Sequence, residues 1–310
     1  MYCVILNLTI KTRLNDMKKI RFNYLLLVLV LIISLLTVSC GKTEPPNTDN
    51  DGEAGTEDTV NDKEIYNKMQ SVLLLGQSNM AGRGDTESVV PISDDRIFMI
   101  RDGKFVKMQE PIHTDKPDIA GVGLGASFAK AFVETFDCEV GLIPGAFGGT
   151  SLADWEPGGF YYSRALEMAK AAQNTSEICA ILWHQGESDM DNPDYTPQLK
   201  NILDSFIKDL RLDEEKIVIV AGELADLYYA DYTINKYLVD LGSFYENYGV
   251  ASAKGLSAWE NYGHFDAPSL RVFGYRYFDI FYNEITGKNY TFNDDPNAYL
   301  IEVAEKIECP

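Results

Sequence analysis

Histidine, tryptophan and cysteine are scarce in this 310-residue chain, which has 3, 3 and 5 of them in that order. Basic residues are also few: 27 stand against 47 acidic ones, which gives a formal net charge of −20. Because nucleic-acid binding needs a basic face for the phosphates, this balance argues against nucleic acid as a partner. A neutral substrate such as a polysaccharide suits an acidic protein better. The sequence has no two-histidine motif of the kind that binds zinc, and we expect neither a metal nor an organic cofactor.

Long hydrophobic runs are missing as well. The longest, Leu25–Leu36, covers twelve residues with only Ser34 interrupting it, whereas a membrane-spanning helix needs about 20 apolar residues. Basic residues precede this run, and small residues followed by Cys40 end it. Such an order is typical of a signal peptide, and its end resembles a bacterial lipobox. We interpret residues 1–40 as signal peptide and lipobox, with Met17 as the true start and Cys40 as the lipidated residue. A plain secretory signal with an incidental cysteine is the alternative.

Residues 41–64 are rich in Asp, Glu, Gly, Pro, Asn and Thr and have almost no apolar side chains. Such a segment buries too little surface to offset its ordering entropy, so we expect a disordered acidic linker. Residues 65–310 then form a single domain outside the cytoplasm, attached to a bacterial membrane by the lipid anchor alone. Two interior cysteines, Cys138 and Cys179, either pair in that oxidising compartment or remain buried thiols.

Short apolar runs alternate with longer amphipathic ones from about residue 65. The short runs suit parallel strands covered on both faces, and they lie at Ser71–Leu75, Arg96–Ile100, Glu139–Ile143, Ile178–Trp183 and Lys216–Val220. Apolar residues at helical spacing predict helices at Leu124–Phe136, Ser163–Ala172, Pro197–Leu210 and Leu270–Ile285. This alternation predicts an α/β fold, a three-layer α/β/α sandwich around a mostly parallel sheet. Sites in such sheets form beyond the carboxyl ends of the strands.

Ser78 follows the first predicted strand, in the segment GQSNM. A serine at a strand-to-helix turn exposes its hydroxyl beside the amides of the helix start, although a serine there often serves only as a helix cap. A serine nucleophile needs a base, usually a histidine. His264 lies in a loop before the final predicted helix, from which it can reach the end of the first strand. His113 lies in another loop, and His184 ends the fourth strand.

Four segments together carry a family resemblance. They are Gly76–Met80 (GQSNM), Gly141–Trp155 (GLIPGAFGGTSLADW), Trp183–Asp189 (WHQGESD) and His264–Arg276 (HFDAPSLRVFGYR). In this order they resemble the blocks of the SGNH (GDSL-like) hydrolase superfamily. More narrowly, they resemble its sialate O-acetylesterase-like branch, which includes the acetyl xylan esterases of carbohydrate esterase family six. The resemblance implies a flavodoxin-like SGNH hydrolase fold and a serine esterase.

The resemblance also implies a catalytic triad of Ser78, His264 and Glu187. Many SGNH enzymes place an Asp three residues before the catalytic histidine, but that position is Asn261 here. Family six esterases use the glutamate of the HQGE block instead, which is Glu187. A carboxylate there can orient the imidazole and stabilise its cation. Glu260, four residues before His264, is the local rival for this role.

The oxyanion of an acyl-transfer intermediate needs hydrogen-bond donors. The resemblance assigns this role to the amide of Ser78, an amide of Gly148 or Gly149, and the side-chain amide of Gln185. The glycines also have a plainer explanation, because they permit a tight turn.

Aromatic residues near the predicted site suit a carbohydrate. We expect Trp155 and Trp259 to stack on sugar rings, with core or rim packing as the alternative, and His113 to line the cleft. The expected function is removal of O-acetyl groups from acetylated polysaccharide or sialoglycan through an acetyl-enzyme. The alternatives are a lipase, arylesterase or thioesterase on the same scaffold, or an inactive carbohydrate-binding lipoprotein.

Replacement of the lipobox cysteine tests the anchor. We expect Cys40→Ser to abolish lipidation and to leave the protein soluble or as an unprocessed precursor, because the thiol that carries the lipid is gone. Mass spectrometry of the mature N-terminus is the measurement. A mature N-terminus other than a modified Cys40 in the parent contradicts the lipoprotein interpretation.

Overall fold

A computed structural model describes residues 61–225, 233–259 and 263–301. These residues lie within one compact unit that spans residues 59–310. The predicted signal peptide with Cys40, the linker up to residue 60, and the rival acid Glu260 all lie outside the described residues. These three interpretations therefore stay predictions.

The last residues of the predicted linker belong to the folded domain. Asp62–Glu64 form a 3-10 turn. Asp62 accepts a hydrogen bond of 2.7 Å from the hydroxyl of Tyr282 and one of 3.1 Å from Lys288. Composition alone predicted a linker through residue 64, and it missed these contacts because both partners lie more than two hundred residues away along the chain.

Seven strands form one sheet in the order β3-β2-β4-β1-β5-β6-β7. Their bounds are β1 Gln70–Gly76, β2 Ile97–Arg101, β3 Lys104–Lys107, β4 Val140–Pro144, β5 Glu177–His184, β6 Val218–Gly222 and β7 Tyr248–Ala251. All neighbouring pairs are parallel except the antiparallel β2–β3 hairpin. The mostly parallel sheet expected from the apolar runs is confirmed.

Helices cover both faces of the sheet. They are α1 Ser78–Ala81, α2 Gly125–Phe136, α3 Phe160–Ala172, α4 Tyr195–Leu210, α5 Ile234–Leu241 and α6 Ala267–Thr286. Successive side chains of a strand point to opposite faces, so Val72 and Leu74 share a core with α2 and α6, whereas Leu73 and Leu75 share one with α3, α4 and α5. The predicted three-layer α/β/α architecture is confirmed. None of the helices described is long and apolar enough to cross a membrane.

Three elements escaped prediction. β3 is an exposed edge strand with charged ends, and β7 is a short, half-buried strand at the opposite edge; neither has the continuous apolar run of a central strand. The eight-residue α5 is a short amphipathic helix with three buried residues. The two strands were missed because edge strands lack an apolar run, and α5 was missed because it is only about two turns long.

The two interior cysteines are free, buried thiols. Cys179 lies in β5, and Cys138 lies just before β4. Each sulfur contacts a backbone carbonyl, Cys138 that of Lys68 at 3.0 Å and Cys179 that of Ser71 at 3.6 Å. The fold therefore favours the buried-thiol alternative over a disulfide.

Candidate active site

The hydroxyl of Ser78 and the imidazole of His264 meet at the carboxyl end of the central strand. His264 Nε2 lies 2.9 Å from Ser78 Oγ. Ser78 opens α1 directly after β1, and His264 lies three residues before α6. A hydrogen bond of this length is the geometry that proton transfer from a serine to a histidine requires.

The turn before Ser78 depends on a glycine. Gly76 has a φ of +123°, which L side chains rarely adopt. It pairs with His184 of β5, and a Cβ on Gly76 would lie 2.0 Å from the His184 carbonyl oxygen. The amide of Gln77 donates to that same oxygen at 2.9 Å. The close approach of β1 and β5 thus sets where Ser78 leaves the sheet.

A short bridge holds the loop that carries His264. Ala258 and Phe265 form an isolated antiparallel bridge, and the amide of Trp259 donates to the His264 carbonyl at 2.8 Å. Asp266 then caps α6 by accepting from the Ser269 amide at 2.8 Å, which is a strong helix-start signal.

The pKa of His264 reflects opposing influences. Burial lowers it below its usual value, the nearby Glu187 carboxylate opposes that shift, and the positive charges of Arg83 and Lys116 add to it. The imidazole is therefore neutral at neutral pH and able to accept a proton.

Glu187 is a buried carboxylate beside this pair. It accepts a hydrogen bond of 2.6 Å from Asn79, and its Oε1 lies 3.6 Å from His184 Nε2. Burial alone would raise the pKa of Glu187, but the interactions with His184 and Asn79 outweigh burial and hold that pKa below its usual range. Its other oxygen, Oε2, is buried and has no hydrogen-bond partner among the described residues.

Asn79, which the sequence reasoning did not single out, bonds on both sides of His264. Its Nδ2 donates to Glu187 at 2.6 Å and to the carbonyl of Gly263 at 3.0 Å, while its Oδ1 accepts from the Phe265 amide at 3.1 Å. The side chain is fully buried. Its place directly after the predicted nucleophile was the only signal in the sequence.

Two of the predicted oxyanion donors have other partners, and this corrects their assignment. The amide of Gly148 donates to Asp115 at 2.8 Å. The side-chain amide of Gln185 donates to the Thr150 carbonyl at 3.1 Å and to Asp189 at 2.5 Å, which uses both of its hydrogens. Neither group is available to an oxyanion in this arrangement.

The other two predicted donors remain available. In the part of the chain that the structure describes, the backbone amides of Ser78 and Gly149 make no hydrogen bond. Gly149 has a φ of +81°, and a Cβ there would meet only the ammonium of Lys116, at 3.6 Å. Glycine at this position therefore permits a tight turn, and the backbone amide of Gly149 stays available as a donor.

A buried ion pair, also missed in the sequence, supports the glycine loop. Arg83 and Asp115 meet at 2.6 Å with side chains 3% and 1% exposed. Asp115 also accepts from the Gly148 amide. Burial would raise the pKa of Asp115, but the bonds from Arg83 and Gly148 hold it below its usual range. The pair thus ties the loop after β4 to the residues after α1.

Trp155 and His113 are not substrate contacts in this structure, which corrects both predictions. Trp155 is wholly buried, packs against Trp183 and donates its indole N–H to Thr150 at 2.9 Å. His113 is also buried, and burial lowers its pKa to about 3 despite the opposing charge of Asp115. Both side chains support loops from within the core.

Trp259 lies where a substrate can reach it. It is 49% exposed and, with His264, lines a cavity of about 640 Å³. The remaining lining residues are Arg83, Gly84, Asp85, Thr86, Ile119 and Ala120. An exposed indole next to the base offers a flat apolar face to a ligand. Among the described residues, no three His, Cys, Asp or Glu side chains are grouped so as to hold a metal ion.

A family model described as carbohydrate esterase, sialic acid-specific acetylesterase matches residues 68–283. The chain belongs to this carbohydrate esterase family. A probable carbohydrate esterase of Arabidopsis thaliana is 33% identical over 165 residues, which cover 46% of this chain and 64% of that protein. This chain therefore aligns with less than two thirds of that relative's length.

Solved structures share the fold. The crystal structure of an Arabidopsis thaliana protein superposes with a TM-score of 0.62 at 26% identity, covering 70% of this chain and 99% of that one. NanS follows with a TM-score of 0.56 at 14% identity, covering 71% and 98% of the two chains. A carbohydrate acetylesterase from Xanthomonas citri gives a TM-score of 0.51 at 12% identity and covers 71% and 57%. At these lower identities the likeness shows the fold alone.

Neutralising Asp115 tests the ion pair. We expect Asp115→Asn to lower the free energy of unfolding by roughly 3 kcal/mol, the lower end for a broken buried pair, because asparagine keeps an acceptor but leaves Arg83 uncompensated. Urea denaturation is the measurement. Glu134→Gln, which breaks the half-exposed pair with Lys130, should change little. Equal effects of the two substitutions would contradict the structural role of the Arg83–Asp115 pair.

Proposed function

We propose that this protein is a serine esterase that removes O-acetyl groups from carbohydrate. The hydrogen bond between Ser78 and His264 carries this proposal, since it joins a nucleophile to a neutral base at the carboxyl end of a parallel sheet. Membership of the carbohydrate esterase family supports acetyl as the group that is removed and a carbohydrate as the substrate.

The reaction proceeds by two acyl transfers. His264 Nε2 takes the proton of Ser78 Oγ as the oxygen attacks the acetyl carbonyl, and the amides of Ser78 and Gly149 donate to the oxyanion. His264 then gives the proton to the departing sugar oxygen, which leaves an acetyl-enzyme. A water molecule then attacks the acetyl carbonyl while His264 takes its proton, and His264 returns that proton to Ser78 Oγ as acetate leaves.

We assign to Glu187 the role of the triad carboxylate, which stabilises the protonated histidine. Its negative charge raises the pKa of His264 against the effect of burial, which is how a triad acid stabilises the imidazolium. Glu187 acts here through space and through Asn79, since its hydrogen bond goes to Asn79. The resemblance to the SGNH and family six pattern supports this assignment, and that finer family placement is part of the proposal.

The substrate is an acetylated polysaccharide or sialoglycan outside the cytoplasm. Exposed Trp259 suits the apolar face of a sugar ring, and the neighbouring cavity of about 640 Å³ leaves room for a saccharide. A lipid anchor at Cys40 would keep the enzyme at the membrane, where it meets such material. No cofactor enters the proposed reaction.

Removing the nucleophile tests the proposal directly. We expect Ser78→Ala to fold normally and to release acetate from acetylated xylan or acetylated sialic acid at a rate lower by about 10³-fold or more, as loss of a triad nucleophile implies. Acetate release is the measurement, and thermal unfolding checks the fold.

A serine-reactive phosphonate supplies the control. It should label the parent at Ser78 and leave the Ser78→Ala variant unlabelled. Labelling of a different serine would overturn the nucleophile assignment. A p-nitrophenyl ester series separates the alternatives, because a preference for long acyl chains would indicate a lipase in place of an acetylesterase.

Two isosteric substitutions test which residue is the triad carboxylate. Glu187→Gln should lower activity by roughly 10²- to 10⁴-fold, because it removes the charge that stabilises the imidazolium. Glu260→Gln should cost much less, since we expect a loop carboxylate to be screened by water. Turnover of an acetyl ester by both variants is the measurement. The reverse ranking would give the role to Glu260.

A further inference from the structure

We propose that Asn79 is a positioning residue that holds the base His264 against the nucleophile; this inference rests on the proposed function. Asn79 directly follows Ser78, so one turn of chain carries both the reacting hydroxyl and the side chain that holds its base. A buried asparagine with an ordinary capping role would bond only within its own turn. The bonds of Asn79 go instead to a loop that is 184 to 186 residues away in sequence.

Each hydrogen-bonding atom of the Asn79 side chain has a partner. Oδ1 accepts from the amide of Phe265, the residue after His264, and Nδ2 donates to the carbonyl of Gly263, the residue before it. His264 is thus fixed at both flanking peptide groups. Fixing two adjacent peptides leaves the imidazole little freedom besides rotation about its own side-chain bonds.

The second donated bond connects this loop to the carboxylate. Asn79 Nδ2 lies 2.6 Å from Glu187 Oε1. His184 Nε2 lies 3.6 Å from that same oxygen. One amide group therefore sets the separation of the base from the carboxylate as well as from the nucleophile.

Misplacement of a reacting group by about 1 Å costs on the order of 10²-fold in rate. We therefore expect Asn79→Ala to slow phosphonate labelling of Ser78 on the order of 10²-fold while the protein stays folded. The phosphonate requires the serine and its base but no carbohydrate, so it reports on positioning whatever the natural substrate is.

A second readout does not depend on catalysis. The Phe265 amide donates to Asn79, so its hydrogen exchange should become at least about tenfold faster in Asn79→Ala, as expected for the loss of a protecting bond. Nuclear magnetic resonance or mass spectrometry of the peptide around residue 265 measures this exchange.

The contact with Glu187 has its own test in Asn79→Asp. This variant keeps the acceptor for Phe265 but brings a second carboxylate oxygen against Glu187. We expect the pH profile of labelling to change shape. Its rising limb should move to higher pH because the added negative charge raises the pKa of His264, or a new falling limb should appear where the two neighbouring carboxyl groups lose their shared proton. Among the described residues, the other titratable groups that interact with Glu187 or His264 are His184, Tyr195, Tyr277, Arg83 and Lys116.

Ser71→Ala is the matched control. Ser71 is as buried as Asn79 and lies in β1, the strand that leads to Asn79. It is near the opposite end of that strand, where it bonds to Ser176 at 2.9 Å. It should lower the unfolding temperature as much as an Asn79 variant while labelling stays near the parent rate. Equal losses of labelling in both would reduce the Asn79 effect to general destabilisation and overturn the proposal.

The remaining outcomes are also decisive. Labelling within about threefold of the parent in Asn79→Ala overturns the positioning role, even if exchange at Phe265 accelerates. An unchanged pH profile in Asn79→Asp overturns the contact with Glu187. If the parent itself is not labelled, the proposed esterase function fails, and exchange alone decides Asn79: faster exchange supports its hold on His264, and unchanged exchange overturns it.

Discussion

The approach of β1 to β5 at Gly76 and His184 is the constraint on which the site depends. A side chain on Gly76 would meet the backbone of β5 at 2.0 Å, so only glycine lets the strands stay paired to the last residue before the turn. The chain then turns sharply, and Ser78 lies at the carboxyl end of the sheet. His184 ends the partner strand at the same level, so the segment with Gln185 and Glu187 begins beside Ser78.

Two sets of polar contacts between distant segments complete the site. In the first, Asn79 connects the loop that carries His264 to Glu187. In the second, Arg83 and Asp115 hold the glycine loop through the Gly148 amide. Buried charges and amides are costly to desolvate, and they persist where each has a partner. The desolvation free energy of these groups indicates that the site requires fixed geometry more than added stability.

The sequence predicted most of this architecture because its strongest signals are those of the interior. Central strands are apolar on both faces, so β1, β4, β5 and β6 were found within a residue or two at their ends. Edge elements such as β3 lack that signal. The sequence pointed to a meeting of Ser78 and His264, which lie 2.9 Å apart, because few histidines exist and because both residues lie near the start of a helix.

Contacts within the site were beyond the reach of the sequence. Nothing in the pattern around Gly148 or Gln185 shows whether their N–H groups point to an oxyanion or to a neighbouring carboxylate, because that depends on Asp115 and Asp189. Trp155 failed as a sugar platform for a similar reason. A tryptophan beside a site in sequence is placed by packing, and here Trp183 and Thr150 enclose it.

The position of the carboxylate bears on the role that we propose for Asn79 beside Ser78. An Asp three residues before the base would share its loop and move with it, but that position is Asn261. Glu187 belongs to a different strand end, so its distance to His264 depends on how the two segments are joined. Asn79 bonds to both. In the proposed mechanism, the electrostatic support of the imidazole is therefore inseparable from the backbone contacts that orient it, and both depend on the residue next to Ser78.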